Sequence, residues 1–206
     1  MLKIWGRLSS INVQKVVICA AELGLPFERI DVGGTFGGVD TPAYAALNPN
    51  RMVHTIEDGE LVLWESNAIV RYLSRSYGDG TLWPADPRVT ADADRWMDWQ
   101  TTTLSPAMLD AFRQLVRTES ARRDMDGVAA SIRNTEPVIA MLDARLEGRN
   151  HVAGGALSMG DIPLACAAHR WQGLPCDKLP RPNVERWLSR LRERPAFAKV
   201  LTLPLT

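Results

Sequence analysis

The order of short elements in the first third of the chain limits the fold more than any other feature. Lys3 to Trp5 and Phe27 to Val32 are short β-branched or aromatic stretches that predict strands. Between them Val13, Val16, Val17 and Ala20 recur at helical spacing, so this stretch predicts a helix. Val53 to Ile56 and Leu61 to Trp64 flank an acidic turn at Asp58 and Gly59, a hairpin pattern, and a helix from about Ser66 to Tyr77 follows. A β-α-β unit forces its two strands to be parallel through a crossover, whereas a tight hairpin forces its pair to be antiparallel. The order predicts an α/β domain with a mixed four-stranded sheet of thioredoxin-like topology.

No strand pattern follows. Trp96, Trp99 and Thr103, and later Val184, Trp187, Leu188 and Leu191, keep helical spacing, which predicts an all-α bundle. Gly78 to Pro87 gathers two glycines and two prolines between the two regimes. The expected organisation is residues 1–77, a linker at 78–87, and a helical domain at 88–206. Pro137 interrupts a helix expected from about Asp126 to Leu146, where a kink or a restart capped by Thr135 is predicted.

Composition then excludes function classes. Lysine plus arginine and aspartate plus glutamate are 24 each, so no basic excess exists to neutralise phosphates, and nucleic acid is not an expected partner. The longest apolar run, Val16 to Ala21, is too short to span a bilayer, and the N-terminus lacks the pattern of a secretory signal. Cys19, Cys166 and Cys176 are an odd, dispersed set without a CxxC, which predicts neither disulfides nor zinc and fits a reducing cytoplasm. No metal is expected.

Four segments in order, WGRLSSINVQKV, LNPNRMV, LWESNAIVRYL and SMGDIP, resemble those of the glutathione transferase superfamily, and in particular its bacterial and serine-type members. The resemblance runs from about Met1 to Leu201. It implies a cytosolic homodimer that takes glutathione as co-substrate and joins its sulfur to a small hydrophobic electrophile. Ser10 falls where those classes carry their catalytic serine, with Ser9 as the alternate hydroxyl and Asn12 as a helper. A hydroxyl donating at the start of a helix, where free N–H groups and the positive dipole end converge, lowers a thiol pKa from its usual ~8.5. The bland alternative is that Ser9, Ser10 and Asn12 are only helix caps.

By the same resemblance Ser66 holds the γ-glutamyl carboxylate while Glu65 faces its ammonium; the alternative is a cap with a dipole-complementing acid. The backbone of Val53 would pair with the cysteinyl unit, in a loop from Arg51 to His54 assigned to glutathione binding. His54 stands where the family usually has a cis-proline. A cis bond before a non-proline residue costs about 2.5 to 4 kcal/mol, so the Val53–His54 bond is expected to be trans, the loop rearranged and glutathione affinity lowered. This departure supports an alternative function, a noncatalytic ligand- or protein-binding member with an impaired glutathione site. His151 and His169 are expected to be structural.

The segment Gly33 to Thr41 holds four glycines and Asp40 and reads as a flap. Related plant proteins place basic residues there to grip the glycyl carboxylate, whereas this chain has Val39 and Asp40. Trp96, Trp99, Gln100, Thr103, Met108, Phe112 and Arg113 could wall an apolar pocket, Trp96 and Trp99 reading more simply as core. Ser158 and Asp161 form an S-x-x-D capping box, whose loss through Asp161→Ala is expected to cost about 0.5 to 2 kcal/mol.

Overall fold

The computed structural model describes residues 1–206, which divide into two compact units, Met1–Ala85 and Asp86–Thr206. The first unit is built on a four-stranded sheet of order β2-β1-β3-β4, with β1 Leu2–Trp5, β2 Phe27–Ile30, β3 Thr55–Asp58 and β4 Leu61–Trp64. β1 pairs parallel with β2 from Leu2 against Phe27 to Trp5 against Ile30, and antiparallel with β3. β3 pairs antiparallel with β4 around a two-residue turn in which Gly59 takes φ 61°. The mixed sheet is the one the element order predicts. Two strand limits differ: Asp31 and Val32 leave the ladder after β2, and Val53 and His54 precede it because pairing with β1 begins at Thr55.

Helices α1, Ile11–Glu22, and α3, Ser66–Tyr77, pack against each other in this unit. Val13, Val16 and Ala20 of α1 and Ile69, Val70 and Leu73 of α3 are fully buried, as are Ile4 and Ile56 of the central strands. The expected flap carries a 3-10 turn, Gly34–Phe36, and then opens a helix not foreseen in the sequence, α2, Pro42–Leu47. Thr41 caps α2 by accepting from the Tyr44 amide at 3.2 Å, with Pro42 at the first helical position. Six residues are too few to reveal a period, although the Thr-Pro start was visible.

The second unit is all-helical. It begins with α4, Pro87–Trp99, capped by Asp86, and continues through a π-type stretch at Gln100–Leu104 into short helices α5, Ser105–Ala107, and α6, Leu109–Phe112. Pro106 has no N–H to return to the preceding turn, which accounts for the widened ladder directly before it. α7, Met125–Arg145, runs through Pro137 without a restart. Thr135 is not a cap: it is buried inside the helix and its hydroxyl donates to the Ser131 carbonyl at 2.7 Å. Pro137 and Arg133 lie on the exposed side, where water can reach the carbonyl that the proline leaves unbonded. α8, Asp161–Gly173, α9, Pro182–Arg192, and α10, Pro195–Leu201, complete the unit.

Asp161 is the hub of this unit and more than half of a capping box. Its carboxylate is fully buried and accepts from the Val152 amide at 2.9 Å, the Ser158 amide at 3.0 Å, the Ser158 hydroxyl at 3.3 Å and the Trp187 indole at 3.0 Å. Ser158 gives its hydroxyl to the carboxylate instead of accepting from the helix, so the reciprocal half of the box is absent. No helix of the chain is long and apolar enough to cross a membrane.

Candidate functional site

β1 ends at Trp5, and the chain must turn sharply to enter α1. Gly6 makes that turn at φ 142°, where a Cβ would lie 2.5 Å from Val13 Cγ2. The Gly6 amide bonds the Ile30 carbonyl at 2.8 Å and the Arg7 amide the Val32 carbonyl at 3.2 Å, so the loop from Arg7 to Ser10 leaves the sheet from a fixed base. Ser10 occupies the N-cap position of α1 with extended backbone (φ −81°, ψ 123°), but its side chain makes no cap hydrogen bond. The hydroxyl is therefore not spent on capping. Ser9 stands beside it, half-buried. Asn12 lies within the first turn and does not cap; its Oδ1 accepts from the Ser66 hydroxyl at 3.2 Å.

That bond ties the start of α1 to the start of α3. Glu65 is the N-cap residue of α3 and exposed, at φ 73° and ψ 109°, a conformation that costs a non-glycine residue about 1 to 3 kcal/mol. Neither it nor Ser66 makes the expected cap bond: Ser66 is the first helical residue, 4% exposed, and its hydroxyl also accepts from Lys15 Nζ at 3.4 Å. Lys15 Nζ donates to Asn67 Oδ1 at 3.2 Å as well. Lys15 and Asn67 were missed in the sequence, where Lys15 sits in an apolar stretch. The available clue is that Asn12, Lys15 and Cys19 follow one face of α1, three and four residues apart, and this face meets α3. Cys19 is no candidate nucleophile, because burial pushes its thiol up to about 12.

The segment before β3 is held by side chains where a proline was expected. Asn48 Nδ2 donates to the Met52 carbonyl at 2.8 Å and to Thr55 Oγ1 at 3.2 Å, and the Tyr44 hydroxyl reaches the same two groups at 2.9 and 3.1 Å. Arg51 is exposed at φ 52°, and the Val53–His54 bond is trans. His54 is 6% exposed and neither ring nitrogen has a hydrogen-bond partner. Burial first, and then the neighbouring Lys15 ammonium, lower its pKa to about 3, so the imidazole is neutral at physiological pH. Of the other histidines, His169 Nε2 bonds the Leu203 carbonyl at 3.2 Å, whereas His151 Nδ1 lies 3.9 Å from the Asp161 carboxylate without a hydrogen bond.

In the first unit, then, the buried Ser66, Lys15 and Asn67 and the half-buried Asn12 form one polar chain, and Ser10 lies two residues from its end. Such an arrangement sets two helix N-termini with free N–H groups beside each other and suits a ligand with more than one anionic group. In the second unit Met108 and Phe112 are core, 1% and 2% exposed, and so do not wall a pocket. Thr103 is half-buried and Arg113 exposed. Trp96 and Trp99 meet edge to face at 5.0 Å, and with Arg95 and Met141 line a cavity of about 350 Å³.

Residues 1–75 match the family model described as glutathione S-transferase, N-terminal domain, and residues 102–195 match the corresponding C-terminal domain. Among proteins of known name, the glutathione S-transferase GstB of Escherichia coli K12 is 40% identical over 208 residues, covering 100% of both chains. Drosophila melanogaster glutathione S-transferase D6 is 28% identical, over 90% of this chain and 85% of its own. Among solved structures, the theta class glutathione S-transferase of Xanthomonas axonopodis pv. citri with glutathione bound superposes with a TM-score of 0.96 at 45% identity, covering 100% of this chain and 99% of the other. The apo form of that enzyme gives a TM-score of 0.87. Elements, loop and comparisons agree: the chain belongs to the glutathione S-transferase family.

Proposed function

We propose that the chain holds the thiol of glutathione as a thiolate at the start of α1 and directs it onto a small hydrophobic electrophile. The observation that carries this reading is the Ser10 hydroxyl, which stands at a helix N-terminus and is not consumed by the cap. It donates to the sulfur; the thiol proton leaves to solvent. The thiolate then uses its lone pair to form a carbon–sulfur bond, and the electrophile either takes up a proton or releases a leaving group with its electron pair. Ser10 forms no bond to substrate carbon. Ser9 is the alternate hydroxyl, and Asn12, whose oxygen is taken by Ser66, keeps its NH₂ group as a further donor.

The γ-glutamyl carboxylate sits at the N-terminus of α3, on the free amides of Ser66 and Asn67, and the exposed Glu65 carboxylate meets the ammonium. The Ser66 hydroxyl organises this end through Asn12 and Lys15. Backbone groups of Val53 pair with the cysteinyl unit, in a loop that Arg51 closes on the exposed side. We further propose a cytoplasmic homodimer. The edge strand β4 exposes Leu61, Val62 and Trp64 and the adjoining loop exposes Met52, apolar surface of the kind that edge strands of monomers avoid. Cys19 and Cys166, buried and outside any disulfide, suit a reducing compartment.

A second reading, a noncatalytic binding protein of this fold, is favoured by one observation: the buried, unpartnered His54 in place of proline. Calorimetric titration with reduced glutathione, repeated on Ser66→Ala and His54→Pro, separates the two. Binding that weakens at least about tenfold in Ser66→Ala is expected of the transferase. Absence of binding that His54→Pro restores would instead establish the second reading.

A further inference from the structure

We propose that Arg7 grips the glycyl carboxylate of glutathione and so makes this chain select a tripeptide with a free C-terminus. The inference rests on the transferase reading, in which the γ-glutamyl end lies on α3 and the cysteinyl unit beside Val53; the third residue then continues past Val53, away from α3. On that side the guanidinium of Arg7 converges with Val53 and the glycines of the flap. A Cβ on Gly33 would lie 2.7 Å from Val53 Cγ1 and 3.4 Å from Arg7 Nη1, and one on Gly34 would lie 2.9 Å from Arg7 Nε. Both glycines hold positive φ, 80° and 59°. The loop therefore closes around Arg7 only because these two positions lack side chains, and it brings backbone, not bulk, to the guanidinium.

The charge at this place is available. Arg7 is half-buried, and its guanidinium makes no hydrogen bond or ion pair within the unit. The neighbouring cations are engaged: Arg29 pairs with Asp31 and donates to the Gly6 carbonyl at 3.1 Å, Lys15 serves Ser66 and Asn67, and Lys3 lies 3.6 Å from Glu57. The flap itself offers Val39 and Asp40 where a basic residue would otherwise meet the carboxylate. A guanidinium fork matches a carboxylate in two parallel N–H···O bonds, which a lysine or an amide cannot reproduce. Arg7 moves the cation from the flap to the β1–α1 loop.

The test compares glutathione with its C-terminal carboxamide, which keeps length and shape but removes the charge, in the full chain and in Arg7→Gln. The unchanged chain is expected to bind the acid at least about tenfold more tightly than the amide. In Arg7→Gln this ratio falls to about one through weakened acid binding, with amide affinity unaltered, which also shows that the site is folded. Arg7→Lys keeps part of the ratio. A ratio that persists in Arg7→Gln, or an equal loss for acid and amide, overturns the assignment while leaving the transferase reading in place. Loss of the ratio in Arg51→Gln with retention in Arg7→Gln would give the carboxylate to Arg51. Failure of the unchanged chain to bind either peptide sinks the transferase reading and this assignment with it.

Discussion

His54 links the site to stability. In the folded chain its imidazole stays neutral down to about pH 3 because it is buried beside Lys15, whereas in the unfolded chain it titrates near 6.5. Between these values the unfolded state binds a proton that the folded state refuses. Stability is thus fully kept above 6.5 and falls by about 1.4 kcal/mol per pH unit below it. Denaturant titrations at pH 7 and pH 5 should show a loss about 2 kcal/mol larger in the native sequence than in His54→Gln. Equal losses would mean that the imidazole is protonated in the fold. Asp161 is the second residue with a large expected effect. Asp161→Ala strands the Val152 and Ser158 amides and the Trp187 indole, each about 1 to 3 kcal/mol when buried unpaired. A loss above about 3 kcal/mol in unfolding free energy is expected, beyond the 0.5 to 2 of a cap alone; a loss within that smaller range would remove the hub role.

Among the elements, α7 carries the clearest prediction. Pro137 leaves the Arg133 carbonyl without an N–H, yet the helix runs on, because packing of Val128, Ile139 and Leu142 holds it and the defect faces water. Pro137→Ala should raise stability by about 1 to 3 kcal/mol in urea titrations, and a destabilised variant would show that a kink is required. The same helix shows where a sequence reading stops. The proline removes a hydrogen bond as the sequence indicates, but the restart capped by Thr135 does not occur, since tertiary burial outweighs one lost bond. The sheet was legible because strand, helix and hairpin signals in the first third admit few topologies, whereas Ser10, Glu65 and Ser66 were named through the resemblance of their segments, their position at helix starts by itself reading as capping. Lys15, Asn67 and Asn48 were not, since a buried polar residue is assigned by the partners that reach it from more than four residues away, and no local period carries that information. The Asn48 and Tyr44 bonds to Met52 and Thr55 likewise hold the loop before β3 through groups that no local pattern singles out.

At the scale of the whole molecule, the exposed edge of the first unit leads to an expectation about assembly. Sedimentation at micromolar concentration should give a species of twice the 22.8 kDa chain, and Leu61→Lys with Trp64→Lys should shift it toward the monomer. A single 22.8 kDa species for the unaltered chain would end that proposal. The central claim is that the start of α1 stabilises a bound thiolate through Ser10, and the ultraviolet absorbance of the thiolate, followed against pH with glutathione bound, tests it most directly. The midpoint is expected at least about one unit below the ~8.5 of a free thiol, returning toward that value in Ser10→Ala. A bound thiol that titrates like the free one, or a lowered midpoint unchanged in Ser10→Ala, would contradict it.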